Sequence, residues 1–179
     1  SKNRVWLMFD FKQNELFSGF FSDILDDIGL KNQVINGFKH NNKLPRLFGI
    51  ARTMTIEDCI ECDENLQSGL TFISTIRTFE IPIIKASYNY AYFGEMMTRL
   101  SIRQGYKGVI IDGLTRDSNF TKNNCNFDIF CKGYTPRDIK NRGRVAKIGA
   151  EISINGVSIN DGDVIFADSD AVVVVPESV

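Results

Sequence analysis

The run Gly108-Val109-Ile110-Ile111-Asp112 is the tightest constraint in this chain. Three successive branched apolar residues leave no polar face, so a strand built from them must be covered on both sides. Such strands belong to parallel arrangements, joined by crossovers long enough to hold a helix. The flanking sequence agrees. Upstream, "YNYAYFGEMMTRLSIRQGYKG" reads as a helix, with Met96, Met97 and Leu100 as its apolar stripe and Gly105 as its stop. Arg99 and Arg103 are placed near the helix C-terminus, where the dipole favours cations. Downstream, "FDIFCKG" reads as the next strand, about 20 residues on, which leaves room for a short crossover helix.

The rest of the chain follows the same alternation before changing character. "NELFSGFFSDILDDIGL" is an amphipathic helix in which Leu16, Phe17, Phe20, Phe21, Ile24, Leu25 and Ile28 recur at three and four residues. Gly29 stands where a left-handed cap is expected, and Asp23, Asp26 and Asp27 form a solvated face. "LFGIARTMTI" and "IPIIKAS" read as strands, with "ENLQSGLTFISTIRTF" as a helix between them. From Val145 onward the pattern is all-β. "AEISINGVSI" is a hairpin turning at Asn155-Gly156, and "DVIFADSDAVVVVPE" is a second, turning at Asp168-Ser169-Asp170. The fragments "DGD" and "DSD" are turns; the twelve-residue calcium loop ending in Glu is missing.

Composition narrows the function. With 21 basic and 22 acidic side chains the net charge is −1, which gives no strong nucleic-acid signal. No apolar run approaches the roughly 20 residues of a membrane span. "SKNRVWLMFDF" reads as a strand rather than a signal peptide, so a cytoplasmic location is expected. Residues 1–179 are expected to form one domain, with 1–13 as an N-terminal strand or extension. Cys59 and Cys62 have C-x-x-C spacing, but Cys125 and Cys131 make a poor second pair and no histidine supports either, so ordinary thiols are expected. The single histidine, His40, sits in the polar turn "KHNNKLPR". Acid–base chemistry therefore falls to carboxylates, water, a metal or the substrate.

One constellation stands out. Strand 108–112 runs into "GLTRD", releasing Arg116 and Asp117 together. In a parallel sheet, strand ends and the N-termini of the flanking helices gather on one side, where ligands bind. The preceding helix opens at Gly94-Glu95-Met96-Met97, whose first amides lack helical partners and can hold an anion. One helix up and one strand back can bring Glu95 to the rim that carries Arg116 and Asp117. Such a rim suits a small 2-oxo acid with a hard cation, Mg²⁺ or Mn²⁺. A structural Arg116–Asp117 pair within a loop explains the same spacing equally well.

The run "GEMMTRLSIRQGYKGVIIDGLTRD" resembles the signature of the aldolase/RraA-like family, which includes the regulator of ribonuclease activity A and the 4-hydroxy-4-methyl-2-oxoglutarate/4-carboxy-4-hydroxy-2-oxoadipate aldolases. In those aldolases an acidic residue, 20 others and then Arg-Asp follow in order, as do Glu95, Arg116 and Asp117. "SDILDDIG", "LFGIARTMTI", "FDIFCKGYTPRD" and "ISINGVSINDGDVIFADSDAVVVVPES" match in sequence, over about residues 14–177. The resemblance implies an α/β, β/β/α swivelling-domain-like (RraA-like) fold with a mixed central sheet and a β-rich C-terminal part, assembled as a homotrimer or hexamer. It implies an Mg²⁺- or Mn²⁺-dependent lyase acting on pyruvate-containing 2-oxo acids. Asp117 would hold the metal directly and Glu95 through water. Arg116 would bind the pyruvyl oxygen and stabilise the enolate, with Gly94, Glu95, Met96 and Met97 holding the carboxylate.

This chain departs from the aldolase pattern at two places. Phe120 stands where R-D-x-x-E/D has its last acid, which should lower metal affinity. The Gly-rich loop before the signature is replaced by "KASYNYAYFGE", with Lys85, Tyr88, Tyr90 and Tyr92. Two other readings therefore stand beside the lyase: a non-catalytic module that binds a protein partner, as the ribonuclease regulator does, and a family enzyme with a pocket reshaped for a different acid.

Overall fold

The computed structural model describes residues 16–60, 66–123 and 126–179. The reading of 1–13 as a strand falls outside these, as do Cys62 and Cys125.

The strand over 108–112 is an interior strand of the main sheet. It is β6 (Gly108–Asp112), lying parallel between β4 (Glu80–Lys85) and β8 (Asp128–Cys131). β4 in turn lies parallel to β3 (Leu47–Asp58). Side chains alternate across this sheet. Val109 and Ile111 face a cluster with Met54, Ile84, Phe72 and Met97. Ile110 faces the opposite cluster with Ile83, Phe130, Ile154 and Val157. Val109, Ile110 and Ile111 have no exposed surface, each adding about 2 kcal/mol of apolar burial.

The two faces are covered differently. Helices α2 (Leu66–Thr75) and α3 (Glu95–Gln104) cover one. The other is covered by a hairpin, β11 (Ile152–Ile154) and β12 (Val157–Ile159). Its turn residues Asn155 and Gly156 have φ of 49° and 79°, the left-handed pair a two-residue turn of this type demands.

The sheet is mixed. β3 is long enough to serve two antiparallel partners on one edge. Residues 47–50 pair with β13 (Val164–Ala167), and 54–58 pair with β10 (Gly143–Ile148). Beyond β13 lie β14 (Val172–Val175) and β1 (Val34–Ile35), while β2 (Lys39–His40) closes the far edge on β8. This agrees with the α/β class and β-rich tail expected from the sequence. One aspartate of each of "DGD" and "DSD" closes its turn: Asp163 accepts the Asn160 amide at 2.8 Å, and Asp168 the Asp170 amide at 2.9 Å.

Helix α1 (Ser18–Asp27) ends as its sequence suggests. Gly29 takes φ 86°, and the Leu30 amide returns to the Leu25 carbonyl at 2.8 Å. Its apolar stripe is only partly covered. Phe21 stacks on Phe166 with centroids 4.8 Å apart, and Leu25 is buried with it. Phe17, Phe20, Ile24 and Ile28 stay exposed, because α1 packs one side on the face of β13 and β14 and turns the other outward. The expectation of ordinary thiols fails at Cys59, which is disulfide-bonded; Cys131 is free and buried. Among the described residues, no helix is long and apolar enough to cross a membrane.

A second, smaller parallel sheet is not visible in the sequence. After a short break, β4, β6 and β8 each continue into another strand: β5 (Ala91–Phe93), β7 (Leu114–Thr115) and β9 (Gly133–Tyr134). These pair in the order β5-β7-β9. The polar tip after Ile111 thus continues the buried sheet in a second layer. A short helix, α4 (Ser118–Asn123), follows β7.

Burial, the first cause at each, raises the phenol pKa of all five tyrosines, with Tyr88 and Tyr134 pushed up to about 12. An unfolded chain releases phenolic protons near pH ~10, where the folded chain keeps them. Stability is therefore intact below about pH 10 and lost as pH rises toward 12. Melting temperature should fall across that window in step with phenolate absorbance. Phenols that titrate near 10 without loss of melting temperature would refute this.

Candidate active site

The small sheet aligns three strand exits. β5 delivers Gly94 and the start of α3, β7 delivers Arg116 and Asp117, and β9 leads to Asp138. Backbone bonds fix their register: the Arg116 amide donates to the Phe93 carbonyl at 3.0 Å, and the Ala91 amide to the Arg137 carbonyl at 2.8 Å. Asp138 also bridges to Ala91.

Asp117 locks this rim together. Its φ of 58° is left-handed, which Asp tolerates better than most residues. Its carbonyl accepts the Phe120 and Thr121 amides and opens α4. Its side-chain Oδ2 accepts the Glu95 amide at 2.8 Å, capping α3 from a distant strand. The Arg116 Nε lies 3.8 Å from the same oxygen, and its Nη1 lies 3.4 Å from Asp138 Oδ1. Asp117 Oδ1 has no such partner among the described residues. With the Glu95 amide taken, the amides of Met96 and Met97 remain as the unpaired donors of the first helical turn. Gly94 is required for this approach. A Cβ there would lie 2.5 Å from Asp117 Oδ2 and 2.8 Å from Arg116 Cγ.

Glu95, Arg116 and Asp117 thus meet, together with Gly94, Met96 and Met97, on one wall of an open cleft of ≈ 610 Å³. The facing wall comes from the loop after β9 and the start of β10: Asp138, Ile139, Lys140, Gly143, Arg144 and Val145. The sequence reading missed this wall. The charge-dense stretch "TPRDIKNRGR" between two strands was the available signal.

Several side chains sit differently from their sequence reading. Arg99 is the fifth residue of α3, not near its end, and lines the cleft. Its Nε and Nη2 each lie 2.8 Å from Glu95 Oε1, and its guanidinium carbon lies 4.4 Å from the Phe120 ring centroid. Met96, placed in the apolar stripe, is exposed on the rim, while Met97 is buried. The tyrosines that replace the glycine loop leave the cleft open. Tyr90 is buried with its hydroxyl on the Glu57 carbonyl, and Tyr88 donates to the buried Asp112 at 2.5 Å. Lys85 reaches the Ser153 carbonyl at 2.5 Å. Of this group only Tyr92 lines the cleft, and its buried hydroxyl has no hydrogen-bond partner among the described residues.

A mixed sheet whose parallel strands end beside a helix N-terminus and an Arg-Asp pair defines an α/β protein with an open cleft at its strand exits. The RraA-like family model, described as Aldolase/RraA, matches residues 20–174, and the chain belongs to this family. It is 32% identical over 158 residues to a Halalkalibacterium halodurans protein named "Putative 4-hydroxy-4-methyl-2-oxoglutarate aldolase", covering 87% of this chain and 70% of that one. It is 27% identical over 161 residues to Protein DlpA of Legionella pneumophila, covering 89% of this chain. The chain spans only 26% of DlpA. Among solved structures, Streptomyces coelicolor RraAS2, described as an unusual member of the RNase ES inhibitor RraA protein family, matches with a TM-score of 0.82. That match has 23% identity and covers 92% of this chain and 83% of the other, which speaks for the fold alone.

Gly94→Ala should force Asp117 and Arg116 away from α3 at a cost of about 1–3 kcal/mol. Thermal melting tests this; an unchanged melting temperature would mean that the rim yields freely.

Proposed function

We propose that this chain is a divalent-metal-dependent lyase acting on a small 2-oxo acid, in the manner of a class II pyruvate aldolase or an oxaloacetate decarboxylase. One observation carries the reading: Arg116, Asp117 and the open amides of α3 face one cleft, with Glu95 beside them. The kinship with proteins named as aldolases supports the same chemistry.

The donor set fits a hard cation under one condition. Among the described residues, no three His, Cys, Asp or Glu side chains gather closely enough to hold a metal alone. Asp117 Oδ1 offers one direct carboxylate oxygen, and Glu95 stands nearby. Mg²⁺ and Mn²⁺ suit such a site because they keep several waters and take their remaining oxygens from the ligand. When bound, the cation would supply Lewis-acid polarisation of the 2-oxo group.

The chain's own residues supply the rest. The Met96 and Met97 amides bind the substrate carboxylate at the positive end of α3. Arg116, braced by Asp138, meets the C2 oxygen. Breaking the bond between C3 and C4 releases C4 as CO2, or as a carbonyl compound once water has taken the C4 hydroxyl proton; the electron pair moves toward the C2 oxygen, and the guanidinium stabilises the enolate as it forms. A proton then adds at C3 and leaves pyruvate. Ile139 and Val145 give the facing wall an apolar part, against which water is less well held. The assembly proposed is a homotrimer or hexamer; the uncovered apolar side of α1 is surface of the kind a subunit contact would cover.

Oxaloacetate with Mg²⁺ or Mn²⁺ tests this. Pyruvate should form, Arg116→Ala should slow it by about 10²-fold, and Asp117→Asn, which keeps an acceptor for the Glu95 amide, should remove metal dependence. If no metal-dependent turnover occurs and metal plus oxalate leaves melting unchanged, the second reading prevails: a binding module of the ribonuclease-inhibitor kind. Phe120 favours that reading, since a phenyl ring stands where the aldolases have an acid.

A further inference from the structure

We propose that Arg99 is a positioning residue that withholds Glu95 from the cation, so that metal enters this cleft mainly in company with the oxo acid. The inference rests on the metal-dependent reading above and deepens it. Glu95 opens α3 and Arg99 lies one turn on, so their side chains share a helix face. Two guanidinium nitrogens, Nε and Nη2, converge on one carboxylate oxygen, Oε1, each at 2.8 Å. An exposed pair of this kind is loose when nothing fixes the cation. Here Phe120 fixes it: the Arg99 guanidinium carbon lies 4.4 Å from the ring centroid, within cation–π range. Phe120 is itself placed by Asp117, whose carbonyl accepts its amide at 3.0 Å. Asp117, the metal ligand of the proposed reaction, therefore positions the platform that holds the Glu95 clamp.

The consequence is electrostatic. A cation beside Asp117 meets a neighbouring carboxylate already neutralised by a guanidinium. With Asp138 held by Arg116, the carboxylate left to attract it in the substrate-free cleft is Asp117, itself shared with the Glu95 amide and Arg116. A 2-oxo acid brings a negative charge and two chelating oxygens, which restore the missing attraction. Replacing Arg99 frees Glu95 and should tighten metal binding without substrate. Breaking an i,i+4 ion pair and a cation–π contact corresponds to roughly fivefold to tenfold in affinity.

Electron paramagnetic resonance of Mn²⁺ tests this without turnover, since bound Mn²⁺ loses the sharp spectrum of the free ion. The proteins compared are wild type, Arg99→Met, Phe120→Leu, and the double variant Glu95→Gln with Arg99→Met, each confirmed folded by circular dichroism. Wild type should bind Mn²⁺ weakly alone and more tightly with oxalate. Arg99→Met should bind Mn²⁺ alone roughly fivefold to tenfold more tightly, and Phe120→Leu should show part of that gain. The double variant should return to the wild-type value. If Arg99→Met matches wild type, or the double variant keeps the gain, Arg99 does not act through Glu95 and the inference is overturned, while oxalate-dependent Mn²⁺ binding leaves the lyase reading standing. If no protein binds Mn²⁺ with or without oxalate, the metal-dependent reading falls and takes this inference with it.

Discussion

A single hydrogen bond, from the Glu95 amide to Asp117 Oδ2, joins the start of one helix to the end of a strand 22 residues later. The rim depends on it. It sets the distance between α3 and β7, it needs glycine at position 94, and it uses the left-handed backbone of Asp117 to aim the carboxylate. The same residue opens α4 through its carbonyl. One aspartate thus fixes three directions at once: the helix that offers amides, the strand that offers a guanidinium, and the short helix that carries Phe120.

The two-layer sheet explains why such an arrangement is rigid. β4, β6 and β8 are buried on both faces, and their register is fixed by side chains that cannot be exposed. Their continuations β5, β7 and β9 inherit that register, so the site residues leave neighbouring strands at one level. Polar groups held this way need little reorganisation, which is what electrostatic stabilisation of a developing anion requires in the proposed reaction.

Much of this was legible locally. Ile110 and its neighbours announced a doubly covered strand, Gly29 and Gly105 marked helix ends, and Asn155-Gly156 marked a hairpin. Each is a short-range signal with a direct backbone cause. The small sheet was not legible, because strands of two or three residues have no periodicity to detect. The facing wall was missed for the same reason: Asp138 reaches Arg116 only through the pairing of β9, which no local pattern reveals. The stripe on α1 showed which residues are apolar but could not show that β13 and β14 reach only one side of it. Arg99 reads as a helix-dipole cation when the helix start is placed early; with α3 opening at Glu95, the two residues stand one turn apart, and Phe120 comes opposite only through the fold.

The double service of β3 bears on how the chain acquires its shape. Its first half zips to residues 164–167 and its second to 143–148, both about a hundred positions away, while its other edge takes β4. The C-terminal hairpin strand β13 is consequently an interior member of the sheet. Loops of that span close slowly, and until they do the apolar edge of β3 stands bare. A nascent chain on the ribosome would carry this sticky border for the whole time needed to make residues 59–167, which is the interval in which chaperone attention matters most for this topology.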